Sequence, residues 1–361
     1  MSRLRRLQDW AATEIGLLTR FNQSDRHWLM PLAAGLACGL PMLVGAAFDR
    51  MDYGVVSSLA GMVFLYLPET SLNQRMVWLM SCAFGMIACY AIGLACHFVS
   101  VLLVPALIFI TAIVTMMVRL HRIGPPGPTF FVMSAAIGAY SPVPILDVPL
   151  KVGLFALGCL LACLVAFLYS LVALRLCGPM TRPASAAPDF DFVVLDSVMI
   201  AVFVGIALTI AQILQLERPY WVPVSCLAVI QGISLRAVWT RQVHRIGGTL
   251  LGLGLTWALL ALPLDRWWVT IMIIVLTFII ESTVVRHYGL AVMFITPVTI
   301  FLAEAATLGQ GSATEVITAR MIDTAIGSVI GLLGGVCLHS VAVRAPVGRV
   351  LRRILPVTFA D

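Results

Sequence analysis

The feature that most constrains this chain is a succession of apolar segments separated by short loops that contain arginine. The mean hydropathy is +1.01, and charged residues make up only 11% of the 361 residues. A soluble protein carries about a quarter charged residues, so this chain has too little polar surface to fold in water. Because a lipid bilayer requires every backbone polar group to be paired within the protein, the sequence predicts an all-α integral membrane protein.

Hydropathy and charge together give about twelve transmembrane helices in two sets of six. The first six lie at about 28–48, 54–68, 76–96, 100–118, 129–142 and 151–174, and the second six at about 193–215, 220–235, 246–263, 267–285, 289–303 and 320–343. The predicted division of the chain is an interfacial amphipathic segment at 1–27, a first repeat at 28–176, a linker at 177–192, a second repeat at 193–343 and a basic cytoplasmic tail at 344–361.

The two sets are similar enough in layout to indicate an internal repeat. A shift of 167 residues lays Tyr53 on Tyr220, Ser58 on Ser225, Gly85 on Gly252 and Arg119 on Arg286, and a shift of 169 lays Lys151 on Arg320. Both sets start on the same side of the membrane. The sequence therefore predicts two parallel six-helix repeats that are related by a pseudo-twofold axis along the membrane normal.

The basic residues set the predicted orientation. With the N-terminus inside, eighteen of the 23 lysine and arginine residues fall on the inner side and five on the outer side. Inner loops of membrane proteins are enriched in such residues. We therefore expect a multi-pass membrane protein with both termini in the cytoplasm.

In each set the second and fifth segments are short and contain proline or glycine. They lie at 54–68, 129–142, 220–235 and 289–303, and they are shorter than the roughly 20 residues that a membrane-spanning helix needs. Short, interrupted segments at corresponding positions of a repeat often line a transport path. The alternative is that the helices tilt or the bilayer thins locally, which costs little.

The most informative part of the chain is 219–252, where a short apolar segment is followed by a basic loop and a glycine-rich helix start. The predicted loop contains Arg236, Arg241, His244 and Arg245. The helix start reads Arg245-Ile-Gly-Gly248-Thr249-Leu-Leu-Gly252, and a similar opening later in the chain reads Arg320-Met-Ile-Asp323-Thr324-Ala-Ile-Gly327.

These two motifs, together with the segment from Gly289 to Pro297, resemble the fusaric-acid-resistance, or aromatic acid exporter (FUSC-like), superfamily. The resemblance covers about 215–340. The first half is similar in layout only, since Trp78 stands in place of Arg245 and Leu154 in place of Asp323. The plant aluminium-activated malate channels are more distantly similar.

The resemblance implies a protein of the bacterial inner membrane that exports aromatic or other organic carboxylic acids. Two alternatives stay open, namely an organic-anion channel of the malate-channel type and a non-transporting membrane subunit of an efflux assembly. The expected partners are the lipid bilayer and the organic carboxylate substrate, while a periplasmic adaptor protein and a homo-oligomer stay open. We expect neither a nucleic-acid partner nor a cofactor.

An enzyme active site or a metal site is not expected. The six histidines are scattered along the chain, and the nine cysteines form neither a CxxC pair nor a spacing typical of metal ligands. The cysteines lie mostly within apolar segments, which is typical of small buried side chains.

Six residues are candidates for binding the substrate carboxylate: Arg119, Tyr220, Trp221, Arg241, Arg245 and Arg286. A guanidinium group pairs bidentately with a carboxylate, and an aromatic ring can stack on an aromatic acid. The alternative is that the arginines are inner anchors near lipid phosphates and that the aromatic residues are interfacial anchors.

Three further residues are candidates for proton coupling or for a structural ion pair. Arg320 and Asp323 are three residues apart on a helix, which places them close enough to pair. Glu281 lies five residues before Arg286, about 7.5 Å along a helix. Ionisable groups inside a membrane segment are costly and are therefore candidates for function, although an arginine-paired structural role explains them equally.

Overall fold

The computed structural model describes residues 16, 18–23, 26–177, 189–262, 265–304 and 313–354. In these ranges the chain is helical, with no strand. The helices are α1 Leu29–Ala47, α2 Met51–Gly61, α3 Leu72–His97, α4 Leu103–Leu120, α5 Thr129–Ala139, α6 Val148–Cys177, α7 Asp196–Ile213, α8 Trp221–Ile230, α9 Leu235–Leu260, α10 Arg266–Thr283, α11 Tyr288–Glu304, α12 Ala313–His339 and α13 Val341–Ile354. A 3₁₀ turn at Met62–Tyr66 extends α2, and a π-helical turn at Asp191–Leu195 precedes α7.

The prediction of an all-helical membrane protein is confirmed. In the part of the chain that the structure describes, eight helices are long and apolar enough to cross a membrane, namely α1, α3, α4, α6, α7, α9, α10 and α12. The other four apolar helices, α2, α5, α8 and α11, are shorter. They lie in the segments that hydropathy identifies as the short second and fifth members of each set.

The largest departure from the prediction is the start of α9. Residues 236–245, expected to form a basic loop, are instead the first turns of this helix. Ser234 caps its N-terminus by accepting a hydrogen bond from the backbone N–H of Ala237 at 3.2 Å, and no glycine or proline interrupts the chain before Gly247. Arg245 therefore lies almost three turns inside a helix. Arg320 is likewise inside a helix, because α12 begins at Ala313.

Six packing pairs recur at corresponding places in the two sets of helices. In the first set, α1 packs on α2 and α6, α3 packs on α5 and α6, α2 packs on α6, and α4 packs on α5. Among the last six, α7 packs on α8 and α12, α9 packs on α11 and α12, α8 packs on α12, and α10 packs on α11. The two sets meet where α1 packs on α10, α4 packs on α7 and α5 packs on α8.

The four short helices are enclosed by protein. None of the described residues in α2, α5, α8 or α11 is exposed, and nine of the ten residues of α8 are buried. The long helices instead carry large exposed apolar side chains, among them Phe84, Phe109, Leu157 and Trp257. A helix that has no face toward lipid does not have to match the thickness of the bilayer. The burial therefore explains the shortness of these four helices without tilting or bilayer thinning.

Glycines let the short helices approach their neighbours closely. A Cβ atom on Gly327 of α12 would collide with the backbone oxygen of Val222 in α8. At the equivalent position of the first set, a Cβ atom on Gly158 of α6 would collide with the backbone oxygen of Ser57 in α2. Small residues permit such backbone contact between membrane helices.

We expect Gly327→Ala to lower the stability of the protein by about 1–3 kcal/mol, because the added methyl group has to push α12 away from α8. The melting temperature of the purified protein in detergent measures this effect. Gly254→Ala in α9 is the matched control, since a Cβ atom there meets nothing within 4 Å. Equal melting temperatures for the two variants would contradict this account of the packing.

Candidate functional site

One face of the buried helix α8 carries a row of arginine contacts. Ser225 and Ala228 lie on this face, and each accepts a hydrogen bond from an arginine of α9. Arg245 Nη2 donates to Ser225 Oγ at 3.2 Å, and Arg241 Nη1 donates to the backbone oxygen of Ala228 at 3.3 Å. Because the two arginines are four residues apart, they lie one turn apart on α9.

A third arginine approaches the same face from α12. The guanidinium carbon of Arg320 lies 3.9 Å from the centroid of the Trp221 ring, and Trp221 is one turn before Ser225 on α8. An arginine over an indole ring is a favourable cation–π contact. We call Arg241, Arg245 and Arg320 the arginine ladder. Its contact points on α8 span about 10 Å, at 1.5 Å per residue.

Arg245 and Arg320 are buried, and neither guanidinium group is in contact with a carboxylate among the described residues. Arg245 is 5% exposed and Arg320 is 4% exposed, and they are close enough for their charges to act on each other. Neither forms an ion pair with a carboxylate among the described residues. Arg245 Nε and Arg320 Nε and Nη1 have no hydrogen-bond partner. Since burying an unpaired charge is costly, these donors are suited to an anion.

The glycine-rich motif explains how Arg245 reaches this position. A Cβ atom on Gly248 would lie 2.5 Å from the backbone oxygen of Gly289, and one on Gly252 would lie 2.6 Å from that of Met293. These glycines hold α9 against α11 in backbone contact. Arg245 lies one turn before the first glycine and extends its side chain to α8.

The structure does not pair Arg320 with Asp323. The guanidinium group of Arg320 contacts Trp221, while Asp323 Oδ2 has no hydrogen-bond partner although its residue is only 1% exposed. Asp323 lines a cavity of about 330 Å³ at the ends of α7 and α12. The other lining residues are Gln215, Leu216, Glu217, Thr314, Glu315, Thr318, Ala319 and Ile322.

Arg119 is engaged in an ion pair away from α8. Its Nη1 donates to Asp196 Oδ2 at 2.7 Å and to the backbone oxygen of Phe192 at 2.7 Å. Arg344 of α13 donates to the other oxygen of Asp196 at 2.6 Å. Asp196 thus joins α4, α7 and α13. Arg286, the predicted equivalent of Arg119, lies exposed between α10 and α11.

The contacts of Glu281 differ from the sequence-based expectation. Its side chain is 8% exposed, and the cation nearest to it is Arg26 rather than Arg286, with Arg26 Nη1 3.9 Å from Glu281 Oε2. Asn22 also donates its backbone N–H to the oxygen of Arg286 at 2.8 Å. The segment before α1 is therefore tied to the end of α10.

Tyr220 lies where the two sets of helices meet. Its ring centroid is 6.2 Å from that of Tyr140 at the end of α5 and 5.3 Å from that of Trp221. The two predicted aromatic residues thus lie together at the start of α8. Trp221 contacts the ladder directly, whereas Tyr220 faces the neighbouring set.

In the first half, the predicted counterpart of Arg320 is a lysine that lies beside a carboxylate. Lys151 Nζ, at the position of Arg320, lies 3.4 Å from Asp52 Oδ2 and 5.2 Å from the ring centroid of Tyr53. Trp78 stands at the position of Arg245. Among the described residues, two buried arginines without carboxylate contacts therefore occur together in the second half and not in the first.

Ser225 is the site residue that the sequence-based candidates omit. The predicted internal repeat contains a signal for it, because a shift of 167 residues places Ser58 on Ser225. Both serines are fully buried in short helices. Ser225 Oγ accepts the hydrogen bond from Arg245, whereas Ser58 Oγ has no hydrogen-bond partner among the described residues, so the signal marks the position and not the contact.

Comparison with known proteins locates the family resemblance in this half. Residues 206–334 match the fusaric acid resistance protein-like family. The predicted resemblance to this family is thereby confirmed, and the matched range contains the whole arginine ladder together with Asp323. The match is consistent with a role in transport or efflux.

A curated relative supports the assignment to membrane proteins. Over 121 residues the chain is 36% identical to the uncharacterized membrane protein YvaC of Bacillus subtilis (strain 168). The aligned part covers 34% of this chain and 19% of YvaC. The match therefore spans about a fifth of the length of that relative. No solved structure matches the chain.

We expect Asp196→Asn to lower the melting temperature of the purified protein, because Arg119 and Arg344 lose their shared counter-charge in a largely buried site. The expected loss is about 3 kcal/mol. Asp52→Asn is the control, since Asp52 is 40% exposed and an exposed ion pair contributes about 0–1 kcal/mol. Equal losses in the two variants would show that Asp196 does not hold these helices together.

Proposed function

We propose that the protein is an inner-membrane transporter that exports aromatic or other organic carboxylic acids. The observation that carries this proposal is the arginine ladder. Arg245 and Arg320 contact one face of a buried helix, and three of their N–H-bearing nitrogens have no partner. Carboxylates are the common biological anions whose two oxygens match the planar fork of a guanidinium group.

The ladder supplies a stepwise route for such an anion. Arg241 is the first arginine of the ladder from the inner end of α9, Arg245 lies one turn further in, and Arg320 contacts the opposite end of α8. An organic carboxylate moving along α8 would pass from one guanidinium group to the next. A nearby positive charge at each step lowers the cost of taking the anion out of water. Trp221 adds an aromatic surface at the outer step.

We further propose that twelve helices cross the membrane as two six-helix repeats related by a pseudo-twofold axis. The six packing pairs that recur in the two sets support this arrangement, as do the equivalent glycines of α6 and α12. The sequence favours a path on the axis between the short helices. The ladder favours a path along α8 inside the second repeat, because Asp52 already neutralises Lys151 in the first.

The proposed orientation places both termini in the cytoplasm of a bacterial cell. Its support is the excess of arginine in the loops assigned to the inner side. A periplasmic adaptor and a second copy of the chain remain predicted partners.

Single cysteines introduced at Arg122 and at Asp147, in a background without the native cysteines, test this orientation. Arg122 lies in the loop after α4 and Asp147 in the loop before α6. We expect a membrane-impermeant maleimide added to spheroplasts to label position 147, and to label position 122 only after lysis. The reverse pattern would invert the proposed topology.

The transport proposal is tested in proteoliposomes with radiolabelled hydroxybenzoate. We expect Arg245→Gln and Arg320→Gln each to lower the flux by about tenfold or more, since each removes a charge-assisted hydrogen bond worth about 1.5–3 kcal/mol. Lys151→Gln is the matched control, because it removes the equivalent charge from the first half, and its flux should stay within about twofold of the wild type.

Two results would count against the proposal. Unchanged flux in both arginine variants would exclude the ladder as the route. A passive current that several inorganic anions carry equally well, following the membrane potential, would instead indicate an organic-anion channel of low selectivity. Retention of the native melting temperature in each variant shows that a lower flux does not come from unfolding.

A further inference from the structure

Arg320 and Asp323 form an unusual pair of buried charges. They lie one turn apart on α12, and both are nearly inaccessible, yet no ion pair joins them. Arg320 Nε and Nη1 lack hydrogen-bond partners, and so does Asp323 Oδ2. Opposite charges this close in sequence and this well buried ordinarily pair, because an unpaired charge in a protein interior is costly.

The guanidinium group of Arg320 therefore has two suitable positions. In the observed one it lies over the Trp221 ring and belongs to the ladder. In the other it would lie against Asp323, which residues three apart on a helix can achieve by side-chain rotation. The first position leaves Arg320 available to a substrate carboxylate, and the second neutralises it within α12.

The cavity beside Asp323 is a space that a released anion can pass through but in which it finds no cation to bind among the described lining residues. Its volume of about 330 Å³ is at the lower end of the range for small-molecule sites. Glu217 and Glu315 line it together with Asp323. The other charged groups that act on Asp323 are Arg320 from its own helix and Arg218 from the turn before α8. The carboxylates outnumber the cations that do not belong to the ladder, so an anion in this cavity is repelled outward.

We propose that this cavity is the release chamber of the transporter and that Asp323 releases the substrate by taking Arg320 from it. The proposal rests on the proposed export function. A carboxylate held by Arg245 and Arg320 loses one of its two cations when Arg320 turns to Asp323. It then passes outward through the cavity, and Glu217 and Glu315 in the cavity wall keep it from binding there. Arg320 finally swings back to Trp221, and no covalent bond changes in the cycle.

The corresponding helices of the first half lack the pair of unpaired charges that Arg320 and Asp323 form. Leu154 stands at the position of Asp323, and Lys151, at the position of Arg320, lies beside Asp52. A cation that is already neutralised has no need of a release group. Asp323 is thus a positioning residue that acts through Arg320.

The test compares equilibrium binding of hydroxybenzoate to the purified protein in detergent with hydroxybenzoate exchange in proteoliposomes. We expect Asp323→Asn to bind about tenfold more tightly and to exchange about tenfold more slowly, since the competitor for one charge-assisted hydrogen bond is gone. Glu69→Gln is the control, because it removes the same charge from an exposed residue in the loop between α2 and α3. It should leave both quantities unchanged.

Asp323→Glu provides an independent readout. Its longer side chain keeps the charge and reaches Arg320 more easily, so we expect weaker binding with exchange restored to at least half of the wild-type rate. Wild-type binding and exchange in Asp323→Asn, or weaker binding in that variant, would overturn the release role while leaving the ladder intact. Absence of binding and exchange in the wild-type protein would instead overturn the export function itself, and the release role with it.

Discussion

The structure depends on the complete enclosure of α8 by other helices. If α8 were in contact with lipid, the arginines that its neighbours extend toward it would lie in hydrocarbon, and removing their charges from water would cost much free energy. Because α5, α7, α9 and α12 surround α8, the charges that approach it are kept away from hydrocarbon. Glycine contacts make this enclosure tight, and the same contacts fix the direction in which each arginine extends.

The sequence predicts the architecture well because the signal for it is local. Runs of apolar residues of helical length define all twelve apolar helices, and the four short ones are correctly identified by their length. The assignment fails where charge interrupts a helix without ending it. The arginines at 236–245 suggest a loop. However, this stretch contains no glycine or proline that would interrupt a helix, and Ser234 already caps the N-terminus of α9 before it.

The candidate site is predictable in composition but not in pairing. Arg241, Arg245, Arg320 and Trp221 are all identified from sequence, whereas their convergence on one face of α8 depends on contacts between distant helices. The expected partners of Arg320 and Glu281 illustrate the limit. Spacing along a helix favours Asp323 and Arg286, but tertiary packing brings Trp221 and Arg26 instead. Side-chain partners inside a membrane are set by which helices meet, and hydropathy carries no information about that.

The contact between α1 and α10 has a consequence for how the protein is made. Gly39 of α1 packs directly on the side chain of Ile274 in α10, and Arg26 lies beside Glu281. Helix α1 therefore finds its main partner in the other half only after nine more of the described helices have been synthesised. Until then its small-residue face lacks that partner, and any membrane chaperone that shields early helices would act on α1.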